Sequence, residues 1–131
     1  MSTRATAAFD IDSWDEEPYD EQEGIKLTRT RVVKTFRGEI EGESTAELLM
    51  AYAHEGSAAY VGVERVTGRV NGRSGSFLYL HSATASSDGQ SASWSVVPDS
   101  GTGELRGLRG QARIDILPDG GHVFTLDYEL A

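Results

Sequence analysis

Two adjacent charges, Glu64-Arg65, interrupt the apolar run Tyr60-Val61-Gly62-Val63 and Val66. Successive side chains of a pleated strand point to opposite faces, so one charge is sent inward and the other outward. A charge in an apolar interior must be paired or it neutralises. Arg29, Arg31, Lys34, Glu47 and His81 are the partners on offer. The inward member is then either half of a register-fixing ion pair or a preorganised polar group facing a bound molecule. Glu47, within Ala46-Glu47-Leu48-Leu49, poses the same alternative. His81 follows Phe77 and Tyr79 at every second position, so the three share a face. An imidazole there suits general acid or base work near neutral pH, its structural alternative being a hydrogen-bonded core histidine.

Other chemistry finds less support. His54, His81 and His122 have no metal-ligand spacing, and cysteine is absent. Asp10-x-Asp12 with Glu21 mimics a calcium loop faintly, but the position that demands glycine holds Asp15. Gly72-Arg73-Ser74-Gly75-Ser76 lacks the closing glycine of a nucleophile elbow. In Gly101-x-Gly103 the third glycine of a dinucleotide fingerprint falls on Arg106, so a structural turn is expected. No cofactor is called for.

These residues need a scaffold, and alternation supplies it. Ala5 to Trp14, Leu27 to Phe36, Ala46 to Ala53, Ala58 to Val66, Ser74 to Thr84, Ser91 to Val97, Gln111 to Leu117 and His122 to Leu130 read as strands. Asn71-Gly72 and Asp88-Gly89 are hairpin signals, because a type I′ turn needs positive φ at both central positions. Glu43 to Tyr52 could also form a helix, but its neighbours need a strand partner. Eight strands without βαβ alternation predict an all-β, antiparallel up-and-down barrel whose closure removes exposed edges. Such a lumen is either filled by side chains or holds one small ligand. Phe36, Tyr52, Phe77, Tyr79 and Trp94, with Arg65 if it points inward, are its candidate lining. Leu78 and Leu80 make the opposite face of their strand apolar too, which predicts a homo-oligomer.

The 131 residues make one domain, 1–131, with an acidic loop expected at residues 15–24. Of the net charge of −9, eight acids and no base fall within residues 10–23, leaving the remainder close to neutral. That distribution repels a phosphate backbone and argues against nucleic acid. No leader and no 18-residue apolar run appears, so neither export nor membrane spanning is expected and the cytoplasm is the expected location. Trp14, Pro18 and Tyr19 give the acidic loop the apolar contacts of a lid.

The glycine-rich stretch Ser100 to Gly110 before Gln111 to Leu117, with Trp94 ahead of it and Val123 to Leu130 after it, resembles the loop before the penultimate strand of allene oxide cyclase. Trp14-Asp15-Glu16, Lys34-Thr35-Phe36, Glu41-Gly42, Leu49-Met50, Val61 to Val66, His81-Ser82 and Leu126 to Leu130 extend the likeness to nearly the whole chain. They resemble an uncharacterised bacterial family of that barrel superfamily. The resemblance implies a small hydrophobic or unsaturated ligand and cofactor-free isomerisation or cyclisation. It also places Asp10 and Asp12 where the plant enzymes carry a glutamate and an asparagine on the first strand. Asp10, Glu47, Glu64 and His81 are thus the candidate catalytic residues, with Asp12 among those binding substrate. A non-catalytic carrier or sensor, and a packed barrel that binds a protein partner, are the competing expectations.

Overall fold

Within residues 2–130, which the computed structural model describes, the alternation resolves into eight antiparallel strands. They are β1 (Thr3–Gln22), β2 (Ile25–Gly38), β3 (Ile40–Tyr52), β4 (Ala58–Val70), β5 (Arg73–Ser86), β6 (Gly89–Val96), β7 (Leu108–Ile116) and β8 (His122–Leu130). Each pairs with its chain neighbours, and β8 returns to β1 to close the barrel. Residues 43–52 are strand, laddered to β2 on one side and β4 on the other. Two neighbouring strands outweigh their helical propensity. Asn71 and Gly72 have φ of 48° and 83°, the signs a type I′ turn requires. Glu23 and Gly24 show the same signs, at 53° and 81°, whereas of Asp88-Gly89 only the glycine is positive.

The acidic stretch is not a loop. Residues 15–22 continue β1, with the turn confined to Glu23-Gly24. Cross-strand register sets Asp15 opposite Arg31, Glu17 opposite Arg29 and Glu21 opposite Lys26. Opposite charges facing each other favour that pairing, so an acidic strand forms beside a basic one.

Two bulges set the phase of β1. Asp12 is an extra residue between Ile11↔Lys34 and Ser13↔Val33, and Tyr19 another between Pro18↔Thr28 and Asp20↔Leu27. Ahead of the first bulge Ala5, Ala7 and Phe9 face inward; beyond it, Trp14 joins Val32 on the inner side.

The lumen is divided. Its lower half is packed by Phe36, Phe77, Phe124, Leu126 and Tyr128, with Leu105 entering from below. The glycine-rich segment supplies that plug: Thr102 donates its N–H to Ser76 O, and a Cβ on Gly75 would stand 2.0 Å from Thr102 O. Above, the inner wall carries the smaller set Val32, Ala46 and Leu48, flanked by Met50 and Tyr60.

Closure is thin at one seam. β6 and β7 pair only at Trp94↔Ala112 and Ser95↔Gln111. Above those pairs, residues 89–93 ladder to β5 alone and residues 113–116 to β8 alone. On the outer face, Leu49, Val61, Val63 and Leu80 are 40–52% exposed. Leu78 is half-buried, held by Ser100 Oγ and the Val97 N–H. No helix among the described residues is long and apolar enough to cross a membrane.

Candidate functional site

Pleat alternation along β4 turns Glu64 inward and Arg65 outward. Glu64 is fully buried, and of the five partners offered by the sequence two meet it. Lys34 Nζ on β2 lies 3.1 Å from Glu64 Oε1, and His81 Nε2 on β5 lies 3.3 Å from the same oxygen. Ser44 on β3 donates to Oε2 at 2.5 Å. Burial pushes the Glu64 carboxyl up, but the His81 contact, the Lys34 charge, Ser44 and Tyr79 outweigh it and hold it at about 2. Burial and the Glu64 charge together push the Tyr79 phenol well above its ordinary range.

Lys34 and His81, the two partners of Glu64, reach the floor of a cavity. Lys34 Nζ also sits 4.7 Å from the Phe9 ring centroid, an ammonium over an aromatic face. His81 Nδ1 is 3.4 Å from the Tyr60 hydroxyl, and the two rings meet edge to face at 5.3 Å. A hydroxyl, an imidazole and a carboxylate thus run in series from Tyr60 to Glu64. Burial raises the Tyr60 phenol, so it is a neutral hydrogen-bond donor around pH 7. Above this floor lies a space of about 270 Å³, walled by Phe9, Val32, Ala46, Leu48, Met50 and Ile114. Tyr79 Oη, His81 Nε2 and Trp94 Nε1 are buried polar atoms without an aligned hydrogen-bond partner.

A second carboxylate organises the rim. Glu16 accepts from Trp14 Nε1 at 3.0 Å, Thr28 Oγ1 at 2.7 Å and Tyr52 Oη at 2.6 Å. These bonds tie the far half of β1 to β2 and β3 beside Trp14, which lines the cavity together with Ile11, Ile116 and His122. The Tyr52, Thr28 and Trp14 donors lower the Glu16 carboxyl, and Glu16 in turn raises the Tyr52 phenol.

Several expected residues lie elsewhere. Asp10 is outside, paired with Arg37 at 3.2 Å, because Phe9 and Ile11 take the inward positions around it. Asp12, at the bulge, accepts from Thr35 Oγ1 at 2.5 Å on the outer face. The first-strand carry-over from allene oxide cyclase therefore does not bring these carboxylates into the lumen. Glu47 is outside too, 2.8 Å from Arg31, since Ala46 and Leu48 point inward. Arg65 is exposed. Phe36 and Phe77 belong to the packed half, and Tyr52 stands at the rim bonded to Glu16. Glu64, His81, Tyr79 and Trp94 are gathered around the floor.

Ser44 and Tyr60, to which the sequence reading gives no role, complete the site, together with Glu16, marked there only by the resemblance, and with Lys34 and Trp14, marked also as an ion-pair partner and a lid contact. Tyr60 was legible, four residues before Glu64 and hence on its face of β4. Lys34 shares a face with Val32 and Phe36, which marks a buried lysine in search of a carboxylate. The inward turn of Trp14, with Glu16 beside it, was hidden by the bulge. Among the described residues no group of three or more His, Asp or Glu is placed to hold a metal ion.

Residues 5–128 match the family described as protein of unknown function (DUF3224). A solved structure of a DUF3224-family protein with unknown function from Shewanella oneidensis MR-1 is 35% identical and aligns with a TM-score of 0.86, over 100% of this chain and 99% of that one. No curated protein matches the chain. Agreement over the full length, in sequence and in barrel, means that the chain belongs to the DUF3224 family.

Proposed function

We propose that this barrel binds a small, mainly apolar molecule in the upper half of its lumen. The observation that carries this is a space of about 270 Å³ with aliphatic and aromatic walls and a polar floor of Lys34, Tyr60 and His81. Ligand sites are concave, mostly apolar and fitted with a few convergent polar groups, and this one has that composition. The seam above Trp94↔Ala112 offers a side entrance beside the open rim. A barrel of the allene oxide cyclase kind, holding an unsaturated guest, agrees with this reading.

The series Tyr60, His81, Glu64 favours a catalytic form of the same function, a cofactor-free isomerisation or cyclisation. In it the walls supply proximity and orientation while the series moves a proton. A carrier would lose binding and any conversion together in His81→Ala, whereas an enzyme would keep binding and lose turnover. The exposed Leu49, Val61, Val63 and Leu80 support self-association through β3–β5, and a sedimentation mass of one chain would overturn that part.

Titration with N-phenyl-1-naphthylamine tests the central claim. Saturable emission enhancement is expected in the native chain, and its loss in Ala46→Phe, which fills the cavity from the β3 wall. An absent response in the native chain, or one unchanged by Ala46→Phe, overturns lumen binding.

A further inference from the structure

The floor of the cavity is rich in hydrogen-bond donors and poor in acceptors. Its one carboxylate, Glu64, already faces Lys34, Ser44 and His81, with Tyr79 close enough to help keep it ionised. Lys34 spends one N–H on Glu64 and rests on the Phe9 ring, which cannot accept a second conventional bond. Tyr79 Oη and Trp94 Nε1 lie toward Glu64 and Tyr60, and neither Tyr79 nor Trp94 lines the cavity, so Lys34 supplies the free N–H donors of the floor. The Tyr60 hydroxyl, 3.4 Å from His81 Nδ1, stands at the cavity edge. Buried donors without acceptors cost free energy, and an acceptor atom brought by a guest removes that cost.

Charge narrows the guest further. Lys34 and Glu64 neutralise each other, and both are almost wholly buried. An anionic guest would set a second negative charge beside Glu64 in an apolar enclosure, and a cationic one a second positive charge beside Lys34. Neither would find a spare counter-ion on the floor.

Resting on the lumen-binding reading above, we infer that the floor recognises an uncharged acceptor oxygen, so that the natural guest is an apolar carbonyl compound seated with its oxygen toward Lys34 and Tyr60. The aliphatic wall formed by Val32, Ala46 and Leu48 takes the hydrocarbon part. Selection for a carbonyl over its hydrocarbon counterpart follows from the donors left unpaired when the oxygen is missing.

Four probes of one skeleton test this on the full chain: 4-phenylbutan-2-one, butylbenzene, 4-phenylbutan-2-amine and 4-phenylbutanoate. Their dissociation constants are read from tryptophan emission and from amide shifts by NMR. The ketone is expected to bind about tenfold more tightly than butylbenzene, the difference one good hydrogen bond makes. Amine and carboxylate are expected to bind more weakly than the ketone. Tyr60→Phe, nearly isosteric, is expected to shrink the ketone preference to about threefold or less without weakening butylbenzene. Lys34→Met serves as a second variant where it folds. Equal binding of ketone and hydrocarbon, tightest binding of amine or carboxylate, or a ketone preference that survives Tyr60→Phe overturns the inference and leaves lumen binding standing. Failure of all four probes, together with N-phenyl-1-naphthylamine, overturns both.

Discussion

Lys34 Nζ and Glu64 Oε1 stand 3.1 Å apart in the barrel interior, one on β2 and the other on β4, with β3 between them. Their strands are not neighbours, so the pair fastens the wall across β3, whose Ser44 bonds the same carboxylate. Taking both charges out of water is costly, and their attraction with the added hydrogen bonds offsets that cost.

Removing one partner should therefore be worse than removing both. Lys34→Met leaves a buried carboxylate uncompensated and is expected to lose about 3–5 kcal/mol. The double change Lys34→Met with Glu64→Leu is expected to recover most of that loss. Urea unfolding of the four-member cycle measures it, and equal stability of the single and double variants would contradict the pairing.

Acid should weaken the same cluster. Glu64 is held at about 2 in the folded chain against an ordinary 4.5, so the unfolded chain binds the extra proton first. Its contribution is fully present above pH 4.5 and disappears as pH falls toward 2. Glu16, also lowered, adds to the slope. Glu64→Gln should flatten the pH dependence of unfolding within this window while leaving it unchanged near neutrality.

At the rim, Glu16→Gln weakens the hydrogen bond, and removes the negative charge, by which Glu16 raises the Tyr52 phenol. Ultraviolet titration of tyrosinate should show one phenol moving back toward the ordinary value. Trp14 emission should shift to the red as its anchor weakens.

Gly62 lies on the Glu64 face of β4, where β3 passes close by. An added Cβ would meet Glu47 O at 2.2 Å and Leu48 Cδ2 at 2.5 Å. Gly62→Ala is expected to cost about 1–3 kcal/mol and to weaken N-phenyl-1-naphthylamine binding as Leu48 is displaced. A fully stable, fully binding variant would count against the close approach.

The β6–β7 seam should show in hydrogen exchange. Amides of residues 113–116 that point away from β8 have no strand partner and are expected to exchange quickly. Those of β3, laddered on both sides, are expected to be the slowest.

Much of this molecule was legible in period-two alternation. It located most of the strand segments, predicted a barrel, and set His81 on one face with Phe77 and Tyr79, while leaving open which of Glu64 and Arg65 turns inward. The same rule also excludes Asp10 and Glu47 from the lumen, since Ala5, Ala7, Phe9 and Ile11, like Ala46 and Leu48, hold the inward places. Likeness to another barrel misplaced Asp10 where the pleat itself had the answer. Two things lay beyond the pattern. The partnership of Lys34 with Glu64 spans two ladders and depends on a register that no single strand encodes. The basic complement of the acidic stretch became visible only with β2 laid against it.

One unmatched residue in the first hairpin reverses parity along its strand as far as the second bulge at Tyr19. Were Asp12 to take an ordinary place opposite Val33, Ser13 and Asp15 would frame the doorway, and Trp14 with Glu16 would look out to water. A shorter relative missing that position would preserve the same threshold. The cavity wall therefore carries indole in place of carboxylate because of a counting offset, and composition alone gives no sign of it.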